Sequence, residues 1–482
     1  MSAANDIDTA SASPVPASGL GGGLPSLAKL APTVFWFLVA AILLVGQAGL
    51  LGLVFPAGAL AVGALLVARD PARFVAFTWW LWFLTPEIRR LVDFQSGWSS
   101  ISPVMVTPFL VGALTWGTLA AYLPMLRYRA YVGFAPVIAG LLYAYAVGIA
   151  QAGAAAATFG LLNWLVPVTL GIYVAFHWPL YPEMRDAVLR AFVLGLVVVG
   201  GYGLIQYFVM PPWDARWLVD VGMTNQGDPL PMRVRVFSTL NSSGPLAFLL
   251  ITGLALLPAA RGPLVPLAGA LALASLLLSL VRAAWLGGLF AFAWLLLTMP
   301  GRHRLRLLAF GAALLVAALP LLAVPRINDA IMARFDSLNS MENDRSYQER
   351  QEFYGRFLAQ ALTEVAGAGL GTVDTATKLS NDGQLGVMAY FDSGVMRVPY
   401  ELGWFGTLGY VGGIVVLLVV LLRRGGAPPD PAARCCEAVV LTMLACMVFE
   451  HTLVKVTGVG FWFFLGLGLA AKTHGLAMRG VR

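Results

Sequence analysis

The chain has 482 residues, of which 59% are hydrophobic and 11% charged; soluble domains average about 45–50% apolar and about 25% charged residues. With a mean hydropathy of +0.79, this excludes a string of water-soluble domains, because so much apolar surface must face lipid. The net charge of +7 is not a nucleic-acid footprint either: the basic residues sort by side along a ladder of apolar segments.

The expected class is an all-α polytopic membrane protein. Residues 1–31 form an Ala/Ser/Pro/Gly-rich tail without the basic flank of a signal peptide, read as flexible and cytoplasmic. Segments close to the length a bilayer requires, about 17–25 apolar residues, follow at 32–48, 50–68, 72–88, 104–123, 132–150, 157–176, 187–209, 244–258, 264–281, 284–299 and 306–324. Three more lie at 402–422, 433–450 and 456–472. The shortest can be counted in more than one way, so the expectation is 12–14 transmembrane helices. Domain limits follow: a membrane domain over 32–324 (about eleven spans), a large loop over 325–397, the last three spans over 398–472 and a tail over 473–482. Arg127, Arg129, Arg185, Arg190, Arg302, Arg304, Arg306, Arg423, Arg424 and Arg434 all fall on the side of the N-terminus. By the positive-inside rule that side is cytoplasmic, and both termini are expected there. The three cysteines, Cys435, Cys436 and Cys446, suit neither a disulfide framework nor a metal site.

Chemistry is expected where charge interrupts this ladder. Arg89 and Arg90, in a short outer turn, are read as headgroup contacts. The outer loop 211–243 ends in RVRVFSTLNSSGPLA, where Arg235 and Asn241 precede a span; they suit a phosphate or, slightly preferred, a lipid headgroup. The apolar stretch 264–299 would be about 54 Å long as one helix, against a hydrocarbon core of about 30 Å. It must break or tilt, and a turn near Arg282 divides it evenly. An arginine so embedded costs several kcal/mol and marks a functional site by default, the alternative being a side chain that snorkels to the headgroups.

The loop 325–397 is too long for a simple connection. Arg334 sits near its start and is read as a weaker candidate, or a loop anchor. SYQERQEFYGRFLAQALTE (346–364) has the apolar spacing of an amphipathic helix. Arg350 shares a stripe there with Tyr354, and has no carboxylate three or four residues away. It binds either an anion or a tertiary carboxylate. Before the next span, YFDSGVMRVPYELGWFG (390–406) offers Asp392 and Glu401. Asp392 is a candidate general base beside a cation-held substrate, or else an Asx turn or helix cap. No HExxH, His/Cys cluster or P-loop is found, so neither a metal nor a nucleotide cofactor is expected. His451 is the one histidine in an outer turn.

These motifs, in this order, resemble the O-antigen ligase and O-antigen/exopolysaccharide polymerase superfamily. RVFSTLNSSGPLA is similar to the family's Arg…Asn…Ala approach to a span, with Phe237 where a glycine is often found. SLVRAAWLG is similar to its Ser-x-x-Arg-x-x-Trp segment. RSYQERQEFY followed by GAGLGTV resembles its Arg-x-x-x-aromatic helix and Gly-x-Gly turn. DSGVMRVPYELGWFG resembles the segment usually written His-Asn followed by Glu, Gly and Gly, with Asp392 in the His position, Glu401 in the Glu position, and Gly403 and Gly406 in the glycine positions.

The resemblance implies an enzyme of the bacterial inner membrane whose active site faces the periplasm. It would take glycan from an undecaprenyl-diphosphate carrier to an acceptor without a cofactor. Arg282 and Arg350 would hold the diphosphate, Arg235, Asn241, Arg334, Tyr354 and Glu401 would bind substrate, and Asp392 would be the base. Aspartate in place of histidine leans toward a polymerase of lipid-linked repeat units over a ligase acting on lipid A core or another acceptor. A chain-length regulator and export machinery are then the implied partners, besides membrane lipid. Two other classes compete: a lipid-linked oligosaccharide flippase or transporter, which should carry charges deep in several spans, and a structural subunit of an export complex, which should tolerate loss of Arg282.

Overall fold

A computed structural model describes residues 25–339, 363–386, 393–423 and 430–480. Among them every ordered element is helical. Helices α1 (Pro25–Leu44) and α2 (Leu51–Arg69) lead into α3 (Pro71–Ser96). The last starts where sequence rules put it, with Pro71 in the first turn and the Asp70 carboxylate accepting from the Arg73 amide at 3.0 Å. Two short helices, α4 (Thr107–Ala113) and α5 (Thr115–Tyr122), precede α6 (Phe134–Phe176). Next come α7 (Tyr181–Val209), the amphipathic α8 (Pro212–Val221), α9 (Ser243–Leu256) and α10 (Val265–Ser279). Helices α11 (Arg282–Thr298), α12 (Gly301–Leu322) and α13 (Pro325–Asn339) complete the first part of the chain. Helices α14 (Gly394–Leu422), α15 (Pro431–Cys446) and α16 (Lys455–Gly480) close the bundle.

The protein is an all-α polytopic membrane protein. Seven helical segments are long and apolar enough to cross a bilayer, and four shorter apolar helices accompany them among the described residues. Each predicted span lies wholly or largely on a helix, except that at 104–123, which is divided between α4 and α5. The two spans predicted at 132–150 and 157–176 are the two limbs of α6, which reverses at Gly153 (φ 80°, ψ 162°), a conformation that suits glycine. The stretch 264–299 breaks as its length requires. Leu280 caps α10 in the left-handed region (φ 56°), Val281 is extended, and α11 begins at Arg282.

The core is the pair α6 and α16, each almost wholly buried along its apolar window. They touch backbone to backbone where Gly171 meets Gly466, the close approach that small residues allow between membrane helices. Around them, Trp79, Phe192, Phe463 and Phe464 form an edge-and-face aromatic cluster.

A strap from the large loop enters this core. Residues 367–371 (GAGLG) thread between the α6 hairpin and a break in α14 at Gly403 (φ 62°, ψ −176°). Gly367, Gly369 and Gly371 all have positive φ, and a Cβ on any of them would overlap the backbone of Gly403, Gly148 or Ala156 respectively. The break in α14 leaves carbonyls that the strap uses: Ala368 N–H donates to Tyr400 O at 2.8 Å, and Gly369 N–H to Glu401 O at 3.0 Å. Leu370 N–H reaches Ala144 O at 3.0 Å. Irregular backbone within a membrane bundle persists when its polar groups are satisfied in this way.

Candidate functional site: an arginine cluster at the loop-rich end

Arg235 lies in the connection between α8 and α9, half-buried. It is held from both sides. Its own N–H donates to Gln226 O at 2.8 Å, and its guanidinium donates to Ser279 O (3.2 Å), Leu280 O (3.5 Å) and Asn225 O (3.3 Å). Ser279 and Leu280 belong to the very break that precedes Arg282. Burial first, and then the neighbouring charges of Arg334 and Arg282, push Arg235 down to about 10. Three arginines from three remote segments thus share one field. Such a field attracts anions.

The ends of other helices converge here. Cys446 Sγ, on α15, lies 3.5 Å from Ala283 O, beside Arg282. The Glu450 carboxylate, in the turn after α15, packs against Gly244 at the start of α9. Three residues before Gly244, the amide oxygen of Asn241 is buried and has no hydrogen-bond partner among the described residues, while its Nδ2 faces Met105 Sδ at 3.6 Å. Gly394 N–H donates to Met447 O at 2.9 Å and its α-carbon lies against the His451 ring, so the residues just after the predicted base join the same assembly. His451 itself is 5% exposed, packs on Trp164 with ring centroids 4.9 Å apart, and has no partner for either nitrogen among the described residues.

Behind this face lies a second charged group. Arg397 pairs with Glu401 at 2.9 Å and with Asp374 at 3.2 Å; Lys455 also pairs with Asp374, and Trp164 Nε1 donates to Glu401. Burial opposes the charge on Asp374, but Lys455 and Arg397 outweigh it and hold its carboxyl well below the usual carboxylate range. Asn163, Trp164, Asp374, Arg397 and Glu401 line a crevice of ≈ 10 Å³, room for about one water.

Of the residues singled out from sequence, Arg235, Arg282 and Arg334 are brought together, and Asn241 lies at the same end of the bundle. Glu401 is 1% exposed and engaged with Arg397 and Trp164. Arg350, Tyr354 and Asp392, with all but the last two residues of the amphipathic helix expected over 346–364, lie outside the described residues. One expectation is corrected. Arg90 is not a headgroup contact: it is fully buried, ion-paired to Glu87 and to Asp214 (2.9 Å), and donates to the carbonyls of Ser238 and Leu240. Arg89 likewise pairs with Asp93 at 3.1 Å and donates to Ser99 O at 2.8 Å. Sequence reasoning also passed over Asp374, Arg397 and Glu450. The i, i+4 spacing of Arg397 and Glu401 within an apolar helix, and the adjacent Glu450 and His451 in an apolar run, were the available signals.

A polytopic helical membrane protein with an arginine cluster at one end is the class these features define. Residues 267–411 match the family described as O-antigen ligase. The match bears out the resemblance to the O-antigen ligase and polymerase superfamily and supports glycan processing of that type. It spans Arg282, Arg334 and Glu401, while Arg235 and Asn241 precede it. No curated protein sequence matches the chain.

Proposed function

We propose that the protein is a glycosyltransferase-type polymerase that joins undecaprenyl-diphosphate-linked oligosaccharide repeat units into a surface polysaccharide, at the periplasmic face of the bacterial inner membrane. The observation that carries this reading is the convergence of Arg235, Arg282 and Arg334. An acceptor hydroxyl attacks the anomeric carbon of the donor glycan. The bond from that carbon to the phosphate oxygen breaks, and the electron pair leaves on the lipid diphosphate. Guanidinium groups suit that leaving group, since they donate bidentately and keep their charge. In this reading Arg350 joins the three described arginines, Asn241 and Tyr354 contact the donor, and Asp392 accepts the hydroxyl proton. Glu401, through Arg397 and Asp374, supports the segment that delivers Asp392.

Ligation of the glycan to lipid A core or another acceptor is the second reading, and its donor chemistry is the same. Aspartate at the position of the family's histidine favours polymerisation. A flippase is disfavoured because the arginines gather at one end of the bundle instead of along a central cavity. The test is transfer by purified protein in liposomes, supplied with an undecaprenyl-diphosphate-linked repeat unit, wild type beside Arg282→Ala. A ladder spaced by one repeat and lost in the variant is the expected result. Product only when lipid A core or another acceptor is added makes it a ligase, and no transfer under either condition overturns the enzyme reading.

A further inference from the structure

The turn that carries Arg235 and Asn241 is built on a buried polar network of α3, α7 and α8. Gln206 Oε1 accepts from the amides of Phe237 (2.9 Å) and Ser238 (2.8 Å), and Ser238 sits at φ 50°, a left-handed conformation costly for serine. Arg90 donates to Ser238 O and Leu240 O while its guanidinium lies 4.9 Å from the centre of the Phe237 ring. The backbone between the two predicted substrate contacts is thus fixed by one buried cation.

The donors and acceptors of this network do not balance if both of its carboxylates are ionised. The Tyr202 hydroxyl lies 2.9 Å from Glu87 Oε1 and 2.9 Å from Asp214 Oδ2, and its oxygen accepts from Trp213 Nε1 at 2.6 Å. One hydroxyl has one proton and cannot donate to two carboxylates. Asp214 Oδ2 already accepts from Gln206 Nε2 at 2.7 Å, while Oδ1 lies 2.9 Å from Arg90 Nε in an ion pair, that N–H being directed at Glu87 Oε2. Glu87 Oε2 takes Arg90, but among the described residues Glu87 Oε1 has only Tyr202. A proton on Glu87 Oε1, donated to the Tyr202 oxygen while Tyr202 donates to Asp214 Oδ2, satisfies all three contacts of the Tyr202 hydroxyl. It also leaves one carboxylate for one buried guanidinium, the neutral balance that burial demands.

We propose that Arg90 is a positioning residue of the arginine cluster, held by an ionised Asp214 and a protonated Glu87, and that it sets the Phe237–Asn241 turn so that Arg235 and Asn241 meet the phosphoryl groups of the donor. This rests on the glycan-transfer reading above.

The test compares Arg90→Lys, Asp214→Asn and Glu87→Gln in the full-length protein, with wild type and Arg282→Ala alongside. Lysine keeps the charge but cannot reach both carbonyls. Arg90→Lys should melt within about 5 °C of wild type, yet lose about tenfold or more in kcat/KM for the lipid-linked donor, as a misplaced contact group does. Asp214→Asn should behave like Arg90→Lys. Glu87→Gln should stay within about twofold of wild type, because an amide replaces a protonated acid contact for contact. Infrared spectroscopy gives a readout independent of activity: the carbonyl band of a protonated carboxylic acid, present in wild type, should vanish in Glu87→Gln.

Wild-type kinetics in Arg90→Lys would overturn the positioning role. Should Arg90→Lys not fold, Asp214→Asn decides the same point. A Glu87→Gln protein as impaired as Asp214→Asn, with the acid band unchanged, would overturn the proton assignment. If wild type itself transfers no glycan, the function reading fails and takes the positioning role with it, while the infrared result still judges the proton.

Discussion

Removing the charge of Asp374 should destabilise the bundle by about 3 kcal/mol, at the low end of the 3–5 kcal/mol typical of a broken buried pair. Asp374 is 3.2 Å from Arg397 and also pairs with Lys455. At an effective dielectric near 20 the attraction to Arg397 alone is about 5 kcal/mol before desolvation. The side chains differ in what they can do once the carboxylate is gone. Lys455 is 36% exposed and can turn to water, whereas Arg397 is 7% exposed and retains only Glu401 among the described residues. The loss in Asp374→Asn should therefore come mainly through Arg397. Unfolding in mixed micelles, run as a double-mutant cycle with Lys455→Gln, would measure this: Lys455→Gln alone should cost less than about 1 kcal/mol, as exposed pairs do. Because the folded pKa of Asp374 is depressed, its contribution is fully present above its unfolded value of about 3.9 and is lost only as pH falls toward the folded one. The difference between wild type and Asp374→Asn should thus be flat from pH 6 to 9. A cost below about 1 kcal/mol, or one that vanishes at pH 7, would refute the claim that Asp374 is the counter-charge of Arg397.

Three further outcomes are expected. Gly369→Ala should cost about 2–4 kcal/mol, combining an unfavourable positive φ with overpacking against the backbone of Gly148, and would be read as lost thermal stability and lost transfer together. Burial, with Arg397 and Lys455 nearby, holds His451 well below its ordinary value. Below about pH 6.5 the unfolded chain then binds a proton that the folded one refuses, so stability should fall by about 1.4 kcal/mol per pH unit on acidification. His451→Gln should flatten that slope, and an unaltered slope would count against it. Inorganic diphosphate at about a hundred times its Kd should stabilise the wild type by about 2.7 kcal/mol in a thermal-shift assay, and Arg235→Ala should abolish the effect.

The membrane ladder was legible because each span is written locally, in its own length and hydropathy. The break before Arg282 was legible for the same reason: a stretch too long for the bilayer must turn. The grouping of Arg235 with Arg282 and Arg334 could be expected only through the order of loose motifs, since no local rule joins them. Arg90 is misread because its partners include the carbonyls of Ser238 and Leu240, some 150 residues away, and an arginine at a span end looks the same whether it faces lipid or a buried turn. The GAGLG strap was noticed as a glycine turn. That its glycines lie against Gly148, Ala156 and Gly403 follows from tertiary packing that no periodicity encodes.

The strap has a consequence for assembly. The groove on α6 that receives it is completed by Leu370 and Gly371, and the rest of that helix is covered chiefly by α14 and α16. All arrive late in synthesis: at about 5–20 residues per second, roughly 200 residues separate Gly160 from Gly371, or about 10–40 s. For that interval a cleft of small residues waits in the bilayer. A nascent chain stalled before the strap emerges should be vulnerable to wrong helix partners and to membrane quality control, which makes the timing of translation part of how this bundle is built.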